Sequence, residues 1–206
     1  MSAMNKIMDN LWLGDMSAAY NKLLLKKHGM THILTVASGI PPKFPSNFQY
    51  KVVTILDSPS ANLKAHFQAC IRFLKQAIDQ GGIVLVHCFA GVSRSATIVI
   101  AYLMQEHGMS LIDATQHVRK CRYFINPNDG FRRQLQGFQR ELTLKRAQEG
   151  GEGPAEEEVK VATTVGQDNY SMFPGSMSTT NVVRSNFIGN GFGLQAKPLF
   201  IQKSYT

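Results

Sequence analysis

An α/β fold with a largely parallel central sheet flanked by helices is what the sequence predicts, on three observations. Strand-like and helix-like stretches alternate from the start of the chain to about Arg146. Ile83-Val84-Leu85-Val86 is a continuous apolar run of strand length, the pattern of a strand covered on both faces. A tight loop and then a long apolar helical stretch follow it, which is how an open α/β sheet builds a ligand site at a strand's carboxyl end.

Taken in order, Ile7, Leu11, Trp12 and Leu13, closed by Gly14-Asp15, predict a short hairpin or edge strand. Asp15 can cap a helix over 16–27. His32 to Val36 is β-branched and apolar, hence a strand, and Tyr50 to Leu56 reads as another. Phe67, Ile71, Phe73, Leu74 and Ile78 recur at helical spacing within 63–79, and Gly81-Gly82 stops that helix. Further helices are expected at about 94–107, 111–121 and 129–145, the second opened by a Ser110–Asp113 box.

Composition changes after Arg146. Glu149-Gly150-Gly151-Glu152-Gly153-Pro154 leads into Glu156-Glu157-Glu158 and then a stretch rich in Gly, Ser, Thr and Asn. The reading is a catalytic domain over 1–146 and a low-complexity, disordered tail over 147–206. The net charge of +8 belongs to residues 1–143, and the rest is neutral. A basic domain without a basic run or interleaved aromatics argues for phosphorylated partners rather than nucleic acid.

No apolar run is long enough to span a bilayer, and the first residues lack a signal-peptide core. Position 2 is Ser, so no myristoyl-type membrane anchor is expected. Cys70, Cys88 and Cys121 form neither a disulfide framework nor a zinc spacing, which predicts a reducing compartment, cytosol or nucleus. Cys70 and Cys121 read as packing residues on helices.

The chemistry sits in His87-Cys88-Phe89-Ala90-Gly91-Val92-Ser93-Arg94-Ser95. The helix N-terminus offers free backbone N–H groups and partial positive charge, which suit a phosphate dianion. Phe89, Ala90, Gly91, Val92 and Ser93 can turn their N–H groups inward as a nest. Gly91 permits close backbone approach or a positive φ. Arg94, six residues after Cys88, can hold two phosphate oxygens with its planar fork. These surroundings favour the thiolate of Cys88, the nucleophilic form. Ser95 can donate a hydrogen bond to the sulfur as it departs. His87 is expected to hydrogen-bond backbone and shape the loop rather than act as a base.

His87-Cys88-x5-Arg94-Ser95 resembles the signature of the protein tyrosine phosphatase superfamily, and specifically of its dual-specificity branch. Ala101-Tyr102-Leu103-Met104 and Asn126-Pro127-Asn128 with Gly130-Phe131 resemble later segments of that group. From Asn5 to about Leu142 the chain is similar to the small atypical dual-specificity phosphatases, notably phosphatases 15 and 22. The resemblance implies a phosphotyrosine phosphatase-like fold and hydrolysis of phosphotyrosine, with phosphoserine and phosphothreonine, through a cysteinyl-phosphate. No metal or organic cofactor is implied, and the partners are phosphorylated proteins.

The family places its general acid in a loop of the kind that follows the Val52–Leu56 strand, and Asp57 matches it. The alternative for Asp57 is a cap of the next turn. Asn126 resembles the residue that steadies the phosphate loop, its alternative being a plain turn Asn before Pro. A sulfurtransferase can also present Cys on a strand-loop-helix, and a pseudophosphatase would bind without turnover. Ser93-Arg94-Ser95 and Asp57 favour phosphate over the first, and intact Cys88, Arg94 and Asp57 oppose the second. Phe89, Ala90 and Val92 stand where an inositol-lipid phosphatase would carry Lys.

Overall fold

The computed structural model describes residues 2–149. The expected disordered tail lies outside the described residues but for its first three positions. Five strands form one sheet: β1 (Met4–Met8), β2 (Leu11–Gly14), β3 (His32–Val36), β4 (Gln49–Val53) and β5 (Val84–His87), in the order β1-β2-β5-β3-β4. β1 and β2 pair antiparallel as a hairpin, and every other pairing is parallel. The largely parallel sheet is therefore as expected. β4 is shorter than its apolar pattern, ending at Val53 rather than Leu56.

Alternation along the strands divides the core. Val84 and Val86 of β5 and Leu34 and Val36 of β3 face one side, while Leu85 and Ile33 face the other. The first side is covered by α3 (Phe67–Asp79), α4 (Arg94–Glu106), α5 (Leu111–Cys121) and α6 (Asp129–Glu149). α4 lies within this layer, and its residues from Ser95 to Met104 are all buried. That burial explains why its sequence is apolar all round rather than striped. The opposite side is covered by Ala18, Ala19, Leu25, Met30 and Phe48.

The expected helix over 16–27 is two short helices, α1 (Met16–Ala19) and α2 (Lys22–Lys27). Asp15 does cap the first, accepting from Ala18 N at 3.0 Å. Asn21 interrupts the run because its side chain caps a new helix, accepting from Leu24 N at 3.0 Å. The helix read over 63–79 opens as a 3-10 turn at Lys64–His66 before α3. Ser110 caps α5 as expected, accepting from Asp113 N at 3.1 Å and donating to its carboxylate at 2.7 Å. α6 runs to Glu149, past its expected end near 145.

The parallel strands β2, β3, β4 and β5 all end at one edge of the sheet. The segments that follow them, opening at Asp15, Ala37, Thr54 and Cys88, meet there.

Candidate active site

Cys88 follows β5 and is 1% exposed, so its sulfur lies at the base of the loop before α4. Two donors point at it: Gly91 N–H and Ser95 O–H, each 3.2 Å from Sγ. Ala37 and Ile40 pack with Cys88, and Met16 and Tyr20 lie against them as an apolar wall. Tyr20 is held by its hydroxyl donating to Pro41 O at 3.2 Å, with Lys43 Nζ 5.5 Å above its ring.

Every carbonyl from Cys88 to Ser93 is already engaged. Cys88 O accepts from His87 Nδ1 at 3.2 Å, Phe89 O from Met16 N at 3.1 Å, and Val92 O from Asn126 N at 2.9 Å. Arg122 donates to both Gly91 O, at 2.9 Å, and Ala90 O, at 3.4 Å. Ser93 O takes Thr97 N and Oγ1. A peptide's N–H points opposite its C=O, so the loop's donors turn away from these partners, as in an anion nest. Gly91 has φ +65°, and a Cβ there would stand 2.5 Å from Gly14 O. Only glycine fits that position.

His87 is buried, and burial pushes its pKa down to about 4. It bonds Cys88 O through Nδ1 and Thr35 Oγ1 through Nε2, the latter at 2.8 Å. A carbonyl only accepts, so the proton is on Nδ1, and Thr35 donates to Nε2. A neutral ring with both nitrogens occupied is tied to the backbone of the loop and to β3.

Arg94 opens α4. Its Nη1 donates to Ile55 O at 3.1 Å, while its Nε is buried with no hydrogen-bond partner. That Nε lies 3.5 Å from Asp57 Oδ2, within ion-pair range. Ser93 sits at the helix N-cap without capping it. Its hydroxyl instead donates to Asp57 Oδ1 at 2.8 Å. Asp57, in the loop after β4, is thus brought to the Cys88–Arg94 loop, across 36 positions of sequence from Ser93.

Asn126 reaches the loop only through its backbone N–H. Its side chain accepts from Arg132. The side chain that reaches across is Asn128, which donates to Asp57 Oδ1 at 2.8 Å while its own N–H donates to Ser93 Oγ. Sequence reading passed over Asn128 and Arg122. Asn128 carried a signal, since it lies in the same Asn-Pro-Asn turn, but nothing local distinguishes the two asparagines. Cys70 is fully buried and its thiol is pushed up to about 12 by burial, which makes it inert at neutral pH. Cys121 is half-buried on α5.

The family model described as "Dual specificity phosphatase, catalytic domain" matches residues 11–141. The chain belongs to that family. Dual specificity protein phosphatase 1 of Arabidopsis thaliana is 51% identical over 138 residues, covering 67% of this chain and 70% of the relative. Dual specificity protein phosphatase 22-A of Danio rerio is 41% identical over 138 residues, covering 67% and 66%. The solved structure of the phosphatase DUSP15 is 34% identical, with a TM-score of 0.62 over 69% of this chain and 96% of that one. The dual-specificity phosphatases are hydrolases acting on phosphotyrosine and phosphoserine or phosphothreonine, and the family match assigns protein phosphatase activity to this domain. Among the described residues, no helix is long and apolar enough to cross a membrane.

Proposed function

We propose that the chain acts on phosphoproteins, phosphotyrosine foremost, through a cysteinyl-phosphate on Cys88 with Asp57 as general acid. The observation that carries this reading is the loop of outward-bound carbonyls around Cys88 Sγ, which leaves its N–H groups for an anion. The orphaned Arg94 Nε supports it, since a phosphate oxygen would supply the missing acceptor.

In the first step the Cys88 sulfur attacks phosphorus in line. The S–P bond forms as the P–O bond to the side chain breaks. Arg94 and the N–H groups of residues 89–94 hold the equatorial oxygens. The phosphate oxygens offer Arg94 an acceptor in place of the Asp57 carboxyl. Asp57 then gives its proton to the leaving oxygen. In the second step water attacks phosphorus and passes a proton to Asp57. The S–P bond breaks, and Ser95 O–H stabilises the departing thiolate.

The phosphotyrosine preference rests on the half-buried side chains of Met16 and Tyr20, which offer an aromatic ring more contact than a serine stem. The catalytic domain we assign to residues 1–146, with the remainder as an appendage. A reducing compartment, cytosol or nucleus, fits a nucleophile that must stay a free thiol. Hydrolysis of matched phosphotyrosine and phosphothreonine peptides by the pure protein tests the reading. Faster turnover of phosphotyrosine is expected. No release of phosphate from either peptide would reject it and favour a phosphoprotein-binding role.

A further inference from the structure

Arg122 is the bulkiest of the fully buried side chains, at 1% exposed, yet no step of the proposed chemistry uses it. A buried guanidinium is costly unless its donors are met. Here the partners come from four places. Nε donates to Gly91 O at 2.9 Å and Nη2 to Ala90 O at 3.4 Å, both in the phosphate loop. Nη1 donates to Asn5 Oδ1 at 2.7 Å and to Ser2 O at 3.1 Å, at the head of β1. Asp15 Oδ2 lies 3.8 Å from Nη2, and the Phe124 ring lies 4.3 Å below the guanidinium carbon.

The two loop carbonyls are consecutive. With Ala90 O drawn to Arg122, the N–H of Gly91 must face the other way, and it does, onto Cys88 Sγ at 3.2 Å. With Gly91 O drawn down as well, the N–H of Val92 faces the same concave side. Other carbonyls of the loop are held by backbone groups or by immediate neighbours in sequence. These two alone depend on one distant side chain.

We propose that Arg122 is a positioning residue that sets the two central peptide planes of the phosphate loop, and that Asn5 and Asp15 fix Arg122 in turn. The segment Ser2–Asn5 is thereby part of the support of the anion site, although none of it touches substrate. Lysine could keep the charge at 122 but not the fork that spans two carbonyls and Asn5.

This inference rests on the phosphatase reading, and its test does not need turnover. The dissociation constant of inorganic phosphate is measured by calorimetry on full-length protein for wild type, Arg122→Lys and Asn5→Ala, with circular dichroism and melting to confirm folding. Phosphatase kinetics on a nitrophenyl phosphate and a phosphotyrosine peptide accompany it. Arg122→Lys is expected to weaken phosphate binding about 10- to 100-fold and to lower kcat/KM at least as much, since misdirected oxyanion donors cost on that order. The ratio between the two substrates should stay at the wild-type value, because Asp57 is untouched. Asn5→Ala should shift phosphate affinity in the same direction by a few fold.

Phosphate affinity within two-fold of wild type in folded Arg122→Lys would overturn the proposal. So would a loss confined to peptides with a second phosphate, which would make Arg122 a direct substrate contact. If Arg122→Lys does not fold, Asn5→Ala decides, and unchanged phosphate affinity there overturns it. Weakened phosphate binding in the variants of a wild type that hydrolyses neither substrate would keep this inference and sink the phosphatase reading instead.

Discussion

Asn128, at the head of α6, donates its side-chain amide to Asp57 Oδ1 at 2.8 Å, across 71 positions of sequence. The same side chain accepts from Phe131 N at 3.0 Å, so one residue caps the helix and tethers the loop that carries Asp57. The helix and that loop are therefore one mechanical unit, and the position of Asp57 depends on residues beyond its own loop.

If Asp57 is the general acid, its loss hurts most where the leaving group is basic. Asp57→Ala should cost about 10²–10⁴-fold on phosphopeptides and much less on a nitrophenyl phosphate. Asn128→Asp keeps the capping oxygen but lacks the donor. It should show the same leaving-group dependence at about ten-fold, the scale of one hydrogen bond to a charged group. Kinetics on substrates of graded leaving-group basicity measure both. Equal losses on all substrates would mean that Asp57 serves the structure only.

Gly130 offers a second handle on the same unit. A Cβ there would stand 1.9 Å from Pro59 O, a backbone atom of the Asp57 loop. Gly130→Ala must push Pro59 aside and carry Asp57 with it. Up to about 100-fold loss on phosphopeptides is expected from a shift near 1 Å, with aryl phosphates of good leaving groups largely spared. Wild-type rates on phosphopeptides would show that the loop yields without moving its carboxyl.

His87 gives a pH signature. Its folded pKa of about 4 is below the unfolded value of 6.5, so the unfolded chain takes up the proton first. Stability is full above about pH 6.5 and falls as pH drops toward about 4, by about 3 kcal/mol for such a shift. Denaturant titrations from pH 7 to 4 should show this slope in wild type and a shallower one in His87→Asn. Identical slopes would mean that His87 titrates alike in the folded and unfolded chain.

How much of this was legible in the sequence depends on how local each feature is. The Cys88–Arg94 loop is contiguous, so strand, turn, glycine and helix could be read together. Asp57 stands out in the sequence because the family resemblance puts an acid in the polar turn after such a strand, and the fold brings its carboxylate to Ser93 and Arg94. Arg122 was not, since Arg119-Lys120-Cys121-Arg122 reads as the basic, solvated end of α5. Only packing shows that the last arginine is buried under the loop. Asn126 and Asn128 flank one proline, and which side chain reaches Asp57 is fixed by how α6 starts. The break between α1 and α2 was missed because no Gly or Pro separates Ala18-Ala19 from Leu23-Leu24-Leu25, while Asn21 opts for a cap.

The domain assignment has its own test. Arg146 donates to Met104 O at 2.7 Å, which ties the last turns of α6 to the core. A chain ended after Glu149 should retain activity on small aryl phosphates within a few fold and unfold at nearly the same temperature. A collapse of either would assign residues 150–206 to the folded unit.

If phosphorus passes through the sulfur of Cys88, it can be caught there. Acid quenching of a reaction with a ³²P-phosphotyrosine peptide, within the first turnover, measures this directly. Label bound to protein, mapped to the peptide containing Cys88 and missing in Cys88→Ser, is the expected result. Phosphate release at the wild-type rate with no labelled protein, or a substantial rate in Cys88→Ser, would contradict it.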